Sequence, residues 1–354
     1  MRVIVDIAHP AHVNFYKNAI DIFNKKYGEV SIVVNRRGSV VEILKKECPN
    51  NDIVSIGTHH HSLLGKISGF VKRDIQLMSY LHKKEFDLTT GVADVYIAPI
   101  SRILGKPSVL FYDDFEYKLC FYLAQLTATR YVIPSCIPVA KKNILKYDGF
   151  KELAYLHPNY FKPDKKALEQ YGLTPYNYVF VREVSGISLN YKNFQHEDLS
   201  RIIQHLKELG LKLVLSLEDR TQVGKYSDDV ILLKEPINDI HSLLYFASFT
   251  ISSGDSMARE SCLVGTPSIY TGGRDMIINK ELIKRSCMFK VDDKQHLKEV
   301  VKNIIEKDIK KETEETIKHA IKYEWVDTTE VIINNLLSLI YKDDSLIEKY
   351  QING

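Results

Sequence analysis

Ser252-Ser253-Gly254-Asp255-Ser256-Met257-Ala258-Arg259-Glu260 opens a stretch that runs to Gly265-Thr266-Pro267 between two apolar runs, Phe246–Ile251 and Ser268–Tyr270. The pattern predicts a strand, a small-residue turn, a short helix, a glycine stop and the next strand. Such a turn presents unpaired amide N–H groups at a helix N-terminus, which suits a phosphate. Glu260 follows Ser253 by seven residues, about two helical turns, so both fall on one side. A phosphate cradle beside a carboxylate fits a nucleotide, with the pyrophosphate on the turn and the ribose hydroxyls on Glu260.

Two other places carry chemistry. Asp6, His9 and His12 follow the apolar run Val3–Ile7, with Pro10 at the expected helix start. A histidine titrates near neutrality, so His9 or His12 could take a proton from a hydroxyl. The plain alternative is that both rings cap or pack the loop. Asp113, Asp114 and Glu116 follow the strand candidate Ser108–Tyr112. Carboxylates this close repel, which suits an acid or base. They equally suit a helix start, with Asp114 as cap and Glu116 in the first turn. His59-His60-His61 looks like a metal tract, but adjacent loop histidines point different ways, and no metal is predicted.

Repeated strand and helix patterns must position these groups. The runs Val3–Ile7, Val30–Val34, Ile53–Ile56, Pro107–Tyr112 and Tyr131–Pro134 alternate with helical stretches, including a long one over 62–85. That rhythm implies parallel sheets covered by helices. It breaks at Leu156-His157-Pro158-Asn159-Tyr160-Phe161-Lys162-Pro163, then restarts with Tyr178–Val181, a helix Leu199–Leu209, Lys212–Leu217 and Val230–Leu233. A chain of 354 residues is long enough for two domains. We expect an N-terminal domain over 1–155, a linker over 156–165, a C-terminal domain over 166–335 and a helical tail over 336–354.

Composition excludes several classes. The net charge of +3, with interspersed signs, argues against a nucleic-acid partner held by phosphate contacts. Five scattered cysteines without CxxC spacing read as reduced thiols of a cytoplasmic protein. The N-terminus reads as a strand, not a leader. No run reaches the roughly 18 apolar residues of a membrane span. The 62–85 stretch carries Lys66, Lys72, Arg73, Lys83 and Lys84 around an apolar stripe. It reads as a surface helix on the sheet or as a peripheral contact with an anionic membrane.

The chain resembles the GT-B superfamily of nucleotide-sugar glycosyltransferases and non-phosphorylating UDP-N-acetylglucosamine 2-epimerases, and within it an uncharacterised epimerase-like family of archaea and bacteria. The likeness rests on the segments Asp6–Phe15, Tyr147–Leu156, Val181-Arg182-Glu183 and Ser253–Pro267. It implies an α/β protein of two Rossmann-like parallel-sheet domains facing a central crevice, with the nucleotide on the second. Ser253, Gly254 and Asp255 would line the diphosphate, Glu260 would hold the ribose, Glu235 would lie near the base, and Arg182 would neutralise the leaving diphosphate. Gly273, Arg274 and Asp275 would approach the donor sugar, unless Gly272-Gly273 is a plain turn. Thr89-Thr90-Gly91 would be a small-residue floor or a tight turn.

The sequence departs from the epimerases. Thr89-Thr90-Gly91-Val92-Ala93 stands where they carry an acid at a sheet edge, and His9-Pro10-Ala11 stands where they carry Arg-Pro-Glu. Moving a proton at C2 needs paired acid and base groups. The reading is therefore a metal-independent, cofactor-free glycosyltransferase. It would move a sugar from a nucleotide-sugar donor, UDP-linked in this reading, to a glycan or lipid-linked acceptor in surface polysaccharide synthesis. The alternatives are a hydrolysing UDP-N-acetylglucosamine 2-epimerase and a non-catalytic nucleotide-sugar-binding subunit.

Overall fold

A computed structural model of the chain describes residues 1–36, 40–58, 63–184, 203, 206–208, 210–219, 230–233, 237, 239–291 and 294–350. It divides into two compact units, Met1–Tyr160 with Trp325–Gly354, and Phe161–Glu324. His59-His60-His61 and most of the expected helix Leu199–Leu209 lie outside the described residues.

The first unit holds seven strands: β1 (Arg2–Ile7), β2 (Glu29–Arg36), β3 (Asp52–Thr58), β4 (Leu88–Val92), β5 (Ser108–Phe111), β6 (Arg130–Pro134) and β7 (Ile144–Tyr147). They run parallel in the order β3-β2-β1-β4-β5-β6-β7. The order reverses between β1 and β4, and the C-terminal edge at such a reversal is where open α/β sheets place ligands. Thr89, Thr90 and Gly91 lie inside β4, all buried, so they form no turn. Hydroxyl pairs make threonines tolerable there. Thr89 shares a 2.7 Å bond with Ser101, and Thr90 a 2.8 Å bond with Tyr16; buried hydroxyls must find such partners.

The helix Pro10–Lys26 starts on a proline and ends on Lys25 and Lys26, suiting both ends of its dipole. Val13, Phe15, Tyr16, Ala19, Ile20 and Phe23 form its buried stripe. In the helix Leu63–Lys83, Arg73, Leu77 and Leu81 turn inward while Ile75 is exposed. The expected basic outer face therefore loses Arg73 to the interior.

The boundary expected at residue 335 falls inside one helix, Thr328–Tyr341, and the chain changes unit at Trp325 instead. The local physics explains this. The Trp325 ring packs edge-on against Phe150 at 4.9 Å, and Val326 N–H donates to Asp148 O. Asp327 caps the helix by accepting from Thr329 and Glu330 N–H groups. The helix then buries Val331, Ile332, Leu336 and Leu337 beside Pro10–Lys26 and Leu153–Leu156.

The second unit has β8 (Val179–Glu183), β9 (Leu213–Leu217), β10 (Ile231–Leu232), β11 (Phe249–Ser252), β12 (Ser268–Tyr270) and β13 (Met288–Lys290). They are parallel in the order β10-β9-β8-β11-β12-β13, with the reversal between β8 and β11. Val179, Leu215, Ile251 and Ile269 share a core with Leu297 and Val301 of the helix Lys294–Glu306. Lys310 fixes the far end of the helix Asp255–Leu263. Its Nζ donates to Tyr245 O at 2.8 Å, Gly265 O at 2.9 Å and Thr266 Oγ1 at 2.5 Å. A lysine there also complements the C-terminal dipoles of two helices.

Candidate functional site

The Ser252–Asp255 turn leaves β11 at the reversal of the second sheet. The helix Asp255–Leu263 begins after Gly254, which makes no side-chain cap. Among the described residues, no N-cap side chain accepts from its first-turn N–H groups. Neighbouring strands hold the turn in place. Ser253 N–H donates to Arg182 O at 3.1 Å, and Ser253 Oγ accepts from Val184 N–H at 2.9 Å. A hydroxyl that accepts there still carries a donor hydrogen. Gly254 is required by close approach, since a Cβ would sit 2.6 Å from Val184 Cγ1. Gly272 is required likewise: a Cβ would stand 2.4 Å from Ser253 O. The loop after β12 thus presses on the turn.

Behind the turn lies a buried charge cluster. Asp255 Oδ2 meets Arg259 Nη1 at 3.2 Å and Arg274 Nη1 at 3.5 Å. Arg259 is fully buried and also donates to Asn279 Oδ1 at 3.0 Å. Two guanidiniums thus stand against this carboxylate, beside a helix N-terminus whose dipole is worth about half an elementary positive charge. Asp255 therefore works as a counter-ion that positions arginines, rather than as a lining group for an anion. Arg274 is buried with it. Asp275 instead points to solvent and pairs with Lys280 at 3.2 Å; Gly273 stands between Gly272 and Arg274, half-buried. Tyr270 Oη, Thr271 Oγ1 and Asn279 Nδ2 are buried without a hydrogen-bond partner among the described residues. Buried polar atoms in this condition mark where water or a ligand completes the network. Burial drives the Tyr270 hydroxyl well above its ordinary pKa, with Asp255 adding to the shift, so it stays a neutral donor.

Glu260 is largely buried, with Oε2 3.7 Å from His241 Nε2. His241 sits on the helix Ile240–Tyr245, its ring edge-on to Phe161 at 6.2 Å. Arg182 is inside β8, where its Nη1 donates to Ser216 Oγ at 2.6 Å. Glu235 lies outside the described residues.

In the first unit, His9 is the N-cap of the helix Pro10–Lys26, and its Nδ1 accepts from Ala11 N–H at 3.2 Å. A neutral ring that accepts at Nδ1 carries its proton on Nε2 and acts there as donor. The His12 ring lies 5.9 Å from that of His9. Asp113 is buried and paired with Lys151 Nζ at 2.8 Å. Asp114 caps the following turn, accepting from Glu116 N–H at 3.2 Å. The three carboxylates are thus parted into a buried pair, a cap and an exposed side chain.

A second buried cluster stands at the reversal of the first sheet. Arg73 Nη2 donates to both oxygens of Asp6 at 2.7 Å, and its guanidinium lies 4.3 Å from the Tyr96 ring centre. Asp94 Oδ1 accepts from the N–H groups of Tyr96 at 2.6 Å and Ile97 at 3.2 Å. Burial, and then the Asp94 charge, push the Asp6 carboxyl well above the carboxylate range, against the pull of Arg73.

One family model spans residues 1–339 and is described as a protein of unknown function, DUF354. The chain belongs to the DUF354 family. A relative, an uncharacterized protein of Methanocaldococcus jannaschii, is 24% identical over 321 residues, covering 87% of this chain and 92% of its own. The solved UDP-N-acetylglucosamine 2-epimerase of Rickettsia bellii matches with a TM-score of 0.72 at 13% identity, over 97% of this chain and 98% of that one. The glycosyltransferase VinC, solved in complex with dTDP, matches with a TM-score of 0.68 at 12% identity, over 97% and 100%. The DUF354 chain thus has the GT-B fold, two parallel-sheet α/β domains. No described helix of it is long and apolar enough to cross a membrane.

The residues of these DUF354 clusters that sequence reasoning missed include Arg73, Arg259, His241 and Asn279. Arg259 had a signal, the Asp255…Arg259 spacing of four residues. His241 had a weaker one, a ring one residue into a helix that Asp239 caps. Nothing local marked Arg73, whose partner is 67 residues away.

Proposed function

We propose that this protein binds a nucleoside diphosphate sugar on its second unit and transfers the sugar to a hydroxyl of a glycan or lipid-linked acceptor. The observation that carries the reading is the uncapped helix start at Gly254–Asp255, backed by Arg259 and Arg274 around Asp255. Amide donors and a fixed positive charge stabilise a diphosphate in the ground state. They stabilise it more as the glycosidic bond breaks and negative charge gathers on the departing oxygen. Arg182 supports the same end of the site. Glu260, the sixth residue of the helix, accepts from the ribose hydroxyls, with His241 holding the carboxylate. Gly273 and Arg274 serve the sugar. Tyr270, Thr271 and Asn279 supply neutral partners for ligand oxygens.

His12 is the proposed group that takes the acceptor proton; His9 Nδ1 accepts from Ala11 N–H and Asp113 is paired with Lys151. UDP is the proposed diphosphate, and surface polysaccharide synthesis in the cytoplasm is the proposed setting.

The Glu260→Ala variant tests the ribose contact. It should raise the Kd for UDP about 5- to 150-fold, the cost of a lost charge-assisted pair of hydrogen bonds. Titration calorimetry with UDP reads this directly, and an unchanged affinity removes Glu260 from the site. Incubation with UDP-N-acetylglucosamine alone separates transfer from epimerisation. Release of UDP with a C2-inverted sugar, without any acceptor, would establish the epimerase instead.

A further inference from the structure

The helix Lys118–Thr127 is apolar on two sides. Phe121 and Ala124 pack inward. Leu119, Tyr122, Leu123 and Leu126, at the spacing i, i+3, i+4 and i+7, face out, with Leu119 74% and Leu126 64% exposed. Arg102 Nη1 donates to Leu126 O at 3.1 Å, which sets a cation beside the last turn. Surface helices of soluble proteins carry polar residues on that face, and contiguous exposed apolar patches mark interaction sites.

The rim identifies the occupant. Lys118 stands exposed at the N-terminal end, and Arg102, Lys106 and Lys141 stand exposed near the C-terminal end. Lys141 is placed there by Asn143, which donates to Gln125 O and Ala128 O. The helix itself carries no acid; Asp114 and Glu116 precede it. A second copy of this chain fits poorly. Antiparallel packing of the helix on its twin would lay Lys118 beside Arg102, and parallel packing would lay Lys118 beside Lys118. Leucines that insert, a tyrosine at the polar boundary and cations around them match an anionic bilayer surface.

We propose that the outward face of the helix Lys118–Thr127 docks the protein peripherally on an anionic lipid surface. This surface is distinct from the 62–85 helix considered from sequence, and the proposal stands apart from the identity of the sugar reaction.

The test is flotation of the full-length protein with vesicles of phosphatidylcholine alone or mixed with phosphatidylglycerol. The protein should float with the anionic vesicles at low salt and much less with the zwitterionic ones. The double variant Leu119→Gln with Leu126→Gln should lower partitioning about tenfold or more. Both side chains are solvent-facing, so its melting temperature should hold. Lys118→Glu with Lys141→Glu should weaken binding to anionic vesicles only. Three results would overturn the proposal: no flotation with either vesicle, flotation indifferent to the leucine pair, or a solution dimer by light scattering that the leucine pair dissociates.

Discussion

Arg259→Ala should destabilise the second unit by about 3–5 kcal/mol, the usual cost of removing one partner from a buried ion pair. Arg259 has no exposed surface and is among the largest fully buried side chains. Its loss removes the 3.2 Å partner of Asp255, strips Asn279 Oδ1 of a donor and opens a cavity. The readout can be assigned to one unit because the chain has a single tryptophan, Trp325, and it belongs to the first unit. In urea, the far-UV circular dichroism transition should gain an early component while the tryptophan fluorescence midpoint holds. A dichroism curve that superimposes on the wild type would contradict the buried-cluster account.

Arg73→Met should cost the first unit a similar amount, about 3–5 kcal/mol near pH 8, and less in acid. The sign follows from Asp6. Its folded pKa is raised, so its contribution to stability is fully present below the unfolded value of about 3.9 and is lost as pH rises through the folded value. In the wild type, Arg73 opposes that loss through its contact with both Asp6 oxygens. Without it, Asp6 and Asp94 lose the buried cation beside them, and a proton on Asp6 takes the guanidinium's place. The deficit should therefore shrink from about pH 8 to about pH 5 when followed by Trp325 fluorescence. Equal deficits at both pH values would contradict the charge assignment.

The contrast between these two arginines shows what a sequence carries. The strands β1, β2, β5, β6, β8, β9 and β12 were legible because strands buried on both faces read as continuous apolar runs. The segments β7 and β13, four and three residues long, mix lysines with apolar residues and gave no such run. Thr89-Thr90-Gly91 looked like a turn because small and hydroxylated residues usually are. Only the partners Tyr16 and Ser101 explain them at the centre of a sheet. The strand, turn and helix around the proposed cradle were legible because they are contiguous, Ser253 to Glu260. The charge there was not. Asp255 reads as a lining residue until Arg274, 19 positions on, is found beside it. Arg73 reads as one cation of a basic stripe, since helical periodicity places a side chain on a face but cannot name what that face meets. The return of the last helix to the first unit rests on contacts between Trp325 and Phe150, far apart in sequence. Local patterning is silent about such pairs.

The most direct test of the central claim, that the turn after β11 grips a nucleoside diphosphate, is the melting temperature of the purified protein against nucleotide concentration. A ligand at 100 times its Kd adds about 2.7 kcal/mol to the folded state. UDP should therefore raise the melting temperature progressively, and Glu260→Ala should move that rise to higher concentration. If UDP, GDP, CDP and dTDP all leave the melting temperature where it was, the cradle holds no nucleotide and the transferase reading falls.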